Sequence, residues 1–146
     1  MHIAIINGPN LNLTGIREPE IYGTKTFANL MTELKSLFPD VEISYFQSNV
    51  EGELINRIQE VGFSAKGIVI NAGGYSHTSV ALHDALAAVP APAVEVHLSN
   101  IFAREEYRHH SLLSSACRGI VAGLGLEGYT LAVEFLLRQT AQSRLV

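Results

Sequence analysis

The chain contains few charged residues and a single cysteine, and both features limit the classes of protein to which it can belong. Of its 146 residues only 16% are charged and 47% are hydrophobic, a balance that favours a well-buried globular fold over disorder. The single cysteine, Cys117, excludes an internal disulfide and fits a reducing compartment, so we expect a cytoplasmic protein. A net charge of −4 without any dense basic run argues against binding to nucleic acid or to a membrane surface.

Long hydrophobic runs are also missing from the sequence. No run approaches the ~20 residues that a helix needs to cross a bilayer. Residues 1–7 lack the basic region that opens a signal peptide and predict a first β-strand instead. Because the chain shows no linker, repeat or low-complexity segment, we expect residues 1–146 to form a single domain.

Apolar periodicity predicts strands that alternate with helices. The strands are expected at residues 3–7, 41–47, 67–71, 93–97 and 119–123, and the helices at residues 26–38, 51–63, 78–89 and 128–138. This alternation indicates a five-stranded parallel sheet with helices on both faces. Right-handed crossovers make a doubly wound, flavodoxin-like α/β fold the default.

Unusual polar residues follow four of the predicted strands. They occupy residues 7–12, 47–49, 71–77 and 97–100. Ligands of doubly wound sheets bind beyond the carboxyl ends of the strands, and these segments meet at that edge. The placement predicts a ligand site there.

The first polar loop leads to Arg17 and Tyr22, five residues apart. A phenolate at neutral pH needs roughly 4 kcal/mol of stabilisation. A cation about 4 Å away, at an effective dielectric of ~20, supplies about that much. The pair could therefore form a general base, and the open alternative is a surface loop with a packed tyrosine and a solvated arginine.

Strand parity places Glu95 and His97 on one face of the fourth strand, opposite Val94 and Val96. A carboxylate beside a histidine selects one tautomer and favours the imidazolium, which suits a general acid. The alternative is a structural histidine at a strand end.

Two further segments carry candidate binding groups. Asn71 and His77 lie in a glycine-rich loop that is suited to bind hydroxyls or oxyanions, unless it is only a capped turn. Arg104 and Arg108 share one face if their segment forms a helical turn, and either could bind a carboxylate or pair with neighbouring glutamates.

Other kinds of site lack their sequence signatures. The adjacent histidines at 109 and 110 are poorly spaced to share a metal, and no other ligand spacing completes a site, so we expect no metal. The sequence has no phosphate-binding P-loop, no GxSxG elbow and no evident Ser–His–Asp arrangement. Cys117 is expected to be a small buried apolar residue.

Taken together, the polar segments resemble those of type II 3-dehydroquinate dehydratase, or type II dehydroquinase, of the shikimate and quinate pathways. The resemblance covers almost the whole chain in order and in register. Its motifs are NGPNLN (7–12), REPEIYG (17–23), QSN (47–49), EGEL (51–54), NAGGYSHTSVAL (71–82), EVH (95–97), SNI (99–101) and AREE (103–106).

This resemblance implies a catalytic role for four residues. Tyr22 is expected to remove a proton from C2 of the substrate, and Arg17 to assist its ionisation. Asn10 is expected to hold a water that stabilises the enolate. His97 is expected to protonate the leaving C1 hydroxyl. The segment around Arg17 and Tyr22 is expected to be a mobile lid, with Gly15 and Gly23 as hinges.

The same resemblance implies how the substrate is bound and how the chain assembles. Contacts to substrate hydroxyls and carboxylate are expected from Asn71, His77, Ser99, Arg108 and the backbone of Leu98. Asp84 is expected to reach the site of a neighbouring subunit, because the family typically forms a dodecamer of trimers. Neither a metal nor an organic cofactor is implied, and the implied substrate is 3-dehydroquinate.

Three positions depart from the family's usual pattern, and two other classes of protein stay open. Val50 and Phe102 stand where the family commonly has histidine, and His83 stands where it has arginine. The first alternative is a non-catalytic flavodoxin-like ligand-binding module, although retention of a base and an acid weighs against it. The second is a nucleotide or flavin protein, for which the phosphate loop is missing.

Overall fold

The structure, a computed structural model, describes residues 1–16 and 18–139, apart from the side chains of Ile21 and Tyr22. Within those residues, five parallel strands form one sheet in the order β2-β1-β3-β4-β5. The strands are β1 (His2–Asn7), β2 (Glu42–Gln47), β3 (Gly67–Asn71), β4 (Ala93–His97) and β5 (Gly119–Ala122). This order is that of a flavodoxin-like sheet, so the predicted fold class is confirmed.

Helices cover both faces of the sheet. They are α1 (Pro19–Tyr22), α2 (Phe27–Leu37), α3 (Glu51–Val61), α4 (Val80–Ala88) and α5 (Glu127–Arg138). Alternate residues of β1 show how the faces divide: Ile3 and Ile5 join a core with α2 and α5, whereas Ala4 and Ile6 join a core with α3 and α4. Each fully buried aliphatic side chain contributes roughly 1.5–3 kcal/mol, so a slip of one residue in register would be costly.

Side-chain caps determine where two of the helices begin. At the start of α2, Thr26 Oγ1 accepts the Asn29 backbone N–H at 3.2 Å, and Asn29 Oδ1 accepts the Thr26 N–H at 3.0 Å. At the start of α4, Ser79 Oγ accepts the Leu82 N–H at 2.9 Å. Because a capping residue keeps an extended backbone, α2 begins one residue later than predicted and α4 two residues later.

The sequence pattern missed the short 3₁₀ helices of the loops. Among the described residues these are Leu11–Leu13, Gly73–His77, Ile101–Ala103, Glu106–Arg108 and Ser114–Ala116. Each is too short to show a period of apolar residues. In the same described part of the chain, no helix combines the length and the apolar character required to cross a membrane.

Candidate active site

A cavity of about 190 Å³ opens beyond the carboxyl ends of β1, β3 and β4. Eight of the residues singled out from the sequence line it: Asn10, Asn71, His77, His97, Leu98, Ser99, Arg104 and Arg108. Its walls are completed by Pro9, Leu11, Leu13, Thr14, Gly73, Gly74 and Ile101. The polar segments that follow separate strands therefore meet at one site, as expected for this type of sheet.

The loop after β1 is held close to the loop after β3. A Cβ added at Gly8 would lie 2.4 Å from the carbonyl oxygen of Ala72, so only glycine fits at this position. Asn10 has a left-handed backbone, with φ of 69°, and its N–H donates to Asn49 Oδ1 at 3.0 Å. Gln47 Nε2 donates both to Asn49 Oδ1 and to the Gly8 carbonyl, each at 3.1 Å. The segment after β2 thus supports the backbone that carries Asn10 into the cavity.

Asn71 and His77 each have a hydrogen bond that orients the side chain. The Gly73 N–H donates to Asn71 Oδ1 at 3.1 Å, and Asn71 is 3% exposed. His77 Nδ1 lies 2.7 Å from the carbonyl oxygen of His110. Because a carbonyl only accepts, Nδ1 must carry a proton, which leaves Nε2 of a neutral ring as an acceptor.

Glu95 and His97 form a buried pair at the end of β4. His97 Nε2 is hydrogen-bonded to Glu95 Oε2, and the two residues are 6% and 0% exposed. The hydroxyls of Ser111 and Ser114 donate to the same carboxylate, each at 2.6 Å. Parity along the strand predicted this contact correctly, because Val94 and Val96 pack in the core of the opposite face.

The charge state of Glu95 follows from these contacts. Burial on its own raises the pKa of this carboxyl, but hydrogen bonds from His97, Ser111 and Ser114, together with the charge of His97, outweigh burial. The net pKa of Glu95 lies below its ordinary value, so the group is ionised at neutral pH. His97 therefore has an ionised carboxylate as its hydrogen-bond partner.

Two arginines, Arg104 and Arg108, also line the cavity. Arg108 Nε donates to Glu105 Oε2 at 2.7 Å, whereas Arg104 Nε lies 3.8 Å from the same oxygen. Arg104 Nη1 donates to Ser99 Oγ at 3.3 Å. The segment does not form the single helical turn that would put both arginines on one face, because Arg104 is extended between two 3₁₀ helices. Both guanidinium groups nevertheless reach the cavity, and they give it a positive wall suited to a carboxylate.

The proposed base falls in the least described part of the chain. The backbone of Tyr22 ends α1, between Glu18 with φ of 46° and Gly23 with φ of 77°. Arg17 and the side chain of Tyr22 lie outside the described residues, so their pairing stays a prediction.

Comparison with known proteins identifies the family. The sequence profile of the family described as Dehydroquinase class II matches residues 1–137. The chain belongs to this family.

Individual relatives and solved structures agree with the family match. A protein from Fusobacterium nucleatum named 3-dehydroquinate dehydratase is 53% identical over 144 residues, covering 94% of this chain and 97% of that protein. The crystal structure of a type II dehydroquinase from Butyrivibrio crossotus superposes with a TM-score of 0.89 at 45% identity, covering 94% of this chain and 97% of that one. A 3-dehydroquinate dehydratase-like protein from Bifidobacterium longum is more distant, at 25% identity and a TM-score of 0.68.

Asp84, for which the resemblance implies a role in the site, does not line the cavity of its own chain. Its side chain is 72% exposed, and its Oδ1 lies 3.1 Å from Nδ1 of His83. His83 Nε2 lies 3.1 Å from Ser115 Oγ, so the fold forms a Ser–His–Asp order that the sequence did not show. Asp84 and Ser115 are exposed and His83 is half-buried, and none of the three lines the cavity.

The other two departures from the family pattern are exposed positions. Val50 precedes α3 and is 53% exposed, and Phe102 is 64% exposed. The ring of Phe102 lies 5.9 Å from that of His109, whose Nε2 donates to the Arg104 carbonyl at 3.1 Å. His109 is therefore engaged within its own loop. In the part of the chain that is described, no cluster of three His, Cys, Asp or Glu side chains is arranged to hold a metal ion.

Sequence reasoning missed several residues that support the site. Ser111 and Ser114 hold the Glu95 carboxylate from a loop 16 and 19 positions away. Asn7 and Tyr129 form a buried hydrogen bond across 122 positions of the sequence. The sequence offered one indication of this contact: Tyr129 lies on the apolar face of a helix, and a buried tyrosine hydroxyl normally requires a hydrogen-bond partner.

Proposed function

We propose that this chain is a hydro-lyase that converts 3-dehydroquinate to 3-dehydroshikimate. Its support is the family membership together with a cavity that contains an acid, amides and arginines. The observation that carries the proposal is the buried contact between Glu95 and His97 at the wall of that cavity. A binding protein has no need of a charge-stabilised proton donor in such a place.

The proposed reaction removes a proton and a hydroxyl from adjacent carbons. Tyr22, ionised with help from Arg17, takes the proton from C2, and the electron pair moves onto the ketone oxygen to give an enolate. Asn10 holds the water that donates a hydrogen bond to this oxygen. Collapse of the enolate forms the C1–C2 double bond and breaks the C1–O bond. His97 gives its proton to the departing hydroxyl, which leaves as water.

The remaining polar groups of the cavity are proposed to bind the substrate. Arg108, Ser99 and the backbone of Leu98 are proposed to bind the carboxylate, and the support for this is that all three residues line the cavity. Asn71 and His77 are proposed to bind hydroxyls of the ring. Since Nδ1 of His77 is occupied by a carbonyl, its Nε2 is the atom available to the substrate.

The segment from Gly15 to Gly23 is proposed to be a lid over the cavity. Gly15 and Gly23 have positive φ angles of 91° and 77°, which allow sharp turns at both ends. A Cβ at Gly15 would lie 2.8 Å from the Thr24 carbonyl, so the two ends of the segment lie against each other. Closure would bring Arg17 and Tyr22 to the substrate and exclude water.

We also propose a homo-oligomer, a dodecamer of trimers, in which Asp84 serves the cavity of a neighbour. The exposed carboxylate of Asp84 on α4, away from the cavity of its own chain, supports this arrangement. Light scattering would give the mass of the assembly. Mixing Asp84→Asn protomers with His97→Gln protomers should restore turnover, because some cavities then receive both native groups. Unchanged activity on mixing would contradict sharing between subunits.

Proton NMR of the reaction tests the proposed activity and its acid together. The protein incubated with 3-dehydroquinate should produce the vinyl proton signal of 3-dehydroshikimate. His97→Gln should lower turnover about 10²- to 10⁴-fold. His110→Gln is the matched control, because the contact of His110 with His77 is made by its backbone carbonyl. Ligand binding by the native protein without turnover would contradict the proposal and favour the non-catalytic module.

A further inference from the structure

The carboxylate of Glu105 contacts two arginines of the cavity wall. Glu105 Oε2 accepts the Nε–H of Arg108 at 2.7 Å and lies 3.8 Å from Nε of Arg104. Both arginines line the cavity, whereas Glu105 does not. The Glu105 side chain is 50% exposed, and exposed ion pairs contribute little to stability. Fold stability therefore does not account well for this contact, and the proposed reaction gives Glu105 no role.

A single 3₁₀ turn places Glu105 beside Arg108. Glu105 directly precedes the 3₁₀ helix Glu106–Arg108, and the Arg108 backbone N–H donates to the Glu105 carbonyl at 2.8 Å. Because a 3₁₀ helix has about three residues per turn, residues three apart lie on the same side of it. The local backbone thus brings the two side chains together without help from a distant segment.

The hydrogen bond to Glu105 uses one particular N–H of Arg108. A guanidinium carries one N–H on Nε and two on each Nη. Glu105 accepts the Nε–H, and the N–H groups of the two Nη atoms take no part in this bond. The end of a guanidinium that carries both Nη atoms matches the two oxygens of a carboxylate. A contact at Nε therefore selects which end of Arg108 is available to a ligand.

The neighbouring ring of Tyr107 does not make the same selection. Its centroid lies 5.2 Å from Arg108 Cζ, which is within the range of a cation–π contact. A ring face attracts the positive charge as a whole and has no preference for one N–H group. Of these two contacts, only the hydrogen bond to Glu105 determines how the guanidinium is turned.

The charge of Glu105 also reduces the repulsion between the two arginines. A hydrogen bond from its own backbone and one from Arg108 hold the pKa of Glu105 below its ordinary value, so the carboxylate is ionised at neutral pH. Arg104 approaches the same oxygen of Glu105, and its Nη1 donates to Ser99 Oγ at 3.3 Å. The negative charge therefore allows two guanidinium groups to line one cavity.

We propose that Glu105 is a positioning residue for the reaction, which holds Arg108 by its Nε–H so that both Nη groups can bind the substrate carboxylate. This inference rests on the proposed function, because it takes Arg108 as a group that binds this carboxylate. Glu105 touches no reacting atom and acts on the substrate only through Arg108. Since the carboxylate is not altered in the reaction, a misplaced Arg108 should weaken the binding of substrate and transition state alike, which raises KM and leaves kcat nearly unchanged.

Two neutral substitutions of similar length separate the hydrogen bond from the charge. Glutamine keeps an oxygen that can accept the Nε–H of Arg108, whereas methionine offers only a weakly accepting sulfur. Glu105→Met should raise KM about tenfold and change kcat by less than about threefold. Glu105→Gln should stay within about threefold of the native KM. Equal KM values for the two variants, or a KM below that of the native protein, would overturn the proposal.

A double-mutant cycle shows whether Glu105 acts through Arg108. In an Arg108→Ala background, Glu105→Met should change KM by no more than about twofold. Glu106→Met is the matched control and should leave KM within about twofold of the native value, because Glu106 is the adjacent exposed glutamate and does not line the cavity. The same tenfold rise with and without Arg108, as judged by a coupling near zero, would overturn the proposal.

Calorimetry tests the inference without turnover and covers a loss of stability in Glu105→Met. This variant should bind 3-dehydroshikimate about tenfold more weakly than the native protein, because the charged pair with Arg108 is weakened. Its binding of the corresponding carboxamide, which has no charge to pair with Arg108, should change by no more than about twofold. Equal losses for both ligands would indicate a damaged fold and contradict the proposal. A native protein that fails to convert 3-dehydroquinate would instead contradict the proposed function, so the two failures are distinguishable.

Discussion

The imidazole of His97 is hydrogen-bonded to the carboxylate of Glu95, two residues earlier on the same buried strand. Ser111 and Ser114 complete the environment of this carboxylate. The arrangement keeps Glu95 ionised and gives His97 a charged hydrogen-bond partner. Residues two apart in a strand lie on the same face of the sheet, so the geometry of β4 alone places Glu95 beside His97, the acid of the proposed reaction.

Glu95→Gln should slow turnover by weakening the acid. Glutamine keeps the shape of the side chain but lacks the charge that stabilises the imidazolium. We expect kcat to fall about ten- to hundredfold, with a smaller change in KM, in steady-state assays. Glu127→Gln, at an exposed position of α5, is the control. A Glu95→Gln enzyme with native kcat would show that the carboxylate has no part in proton donation.

The same carboxylate should make stability depend on pH. The pKa of Glu95 is lower in the folded protein than its ordinary value of 4.5. Its stabilising effect is therefore complete above about pH 4.5 and decreases as the pH falls through the lower folded value. Thermal unfolding should show the native protein losing stability relative to Glu95→Gln over that acidic range. A difference independent of pH would contradict the assigned charge state.

Tyr22→Phe tests the proposed base. Removing the hydroxyl should lower kcat about 10²- to 10⁴-fold, whereas calorimetry should show a substrate analogue still bound. Tyr107→Phe is a control at a 64% exposed position. Retained turnover in the Tyr22→Phe protein would exclude the phenolate mechanism.

Gly8→Ala should destabilise the loop that carries Asn10. The added Cβ would lie 2.4 Å from a backbone oxygen of Ala72, so the loops after β1 and β3 must separate. We expect a loss of about 1–3 kcal/mol in the free energy of unfolding, measured with denaturant. Gly52 lies in α3, where a Cβ would meet open space: apart from the neighbouring backbone of the helix itself, no described heavy atom would lie within 4 Å of it. Gly52→Ala should therefore stabilise by about 0.5–1 kcal/mol, and equal effects of the two substitutions would contradict the close approach.

Cys117 should be unreactive in the native protein. Burial, with a smaller effect of the charge on Glu95, raises the pKa of this thiol to about 12. Since the thiolate is the reactive form, labelling by a thiol reagent at pH 8 should be slow in buffer and fast in denaturant. Rapid labelling of the native protein would contradict the burial of this side chain.

Local patterns predicted much of the fold and part of the site. The apolar spacing of Phe27, Leu30 and Leu34 predicted α2, and strand parity predicted the contact of Glu95 with His97. Both depend on residues that are close in sequence, where helix and strand geometry suffices.

Contacts between distant segments could not be predicted in this way. Ser111 and Ser114 reach Glu95 through a loop whose path depends on 3₁₀ turns without a sequence period. Tyr129 meets Asn7 because α5 packs on β3 and β4, beside β1, and this placement requires the strand order to be known. Likewise, the extended backbone at Arg104 depends on its contacts with Ser99 and Glu105 rather than on residue spacing.

The most direct test of the proposed dehydration is the ultraviolet absorbance of the purified protein with 3-dehydroquinate, in the presence of a chelator and without added cofactor. We predict growth of the conjugated enone absorbance of 3-dehydroshikimate. A flat trace from folded protein would contradict the proposed dehydration without a metal or cofactor.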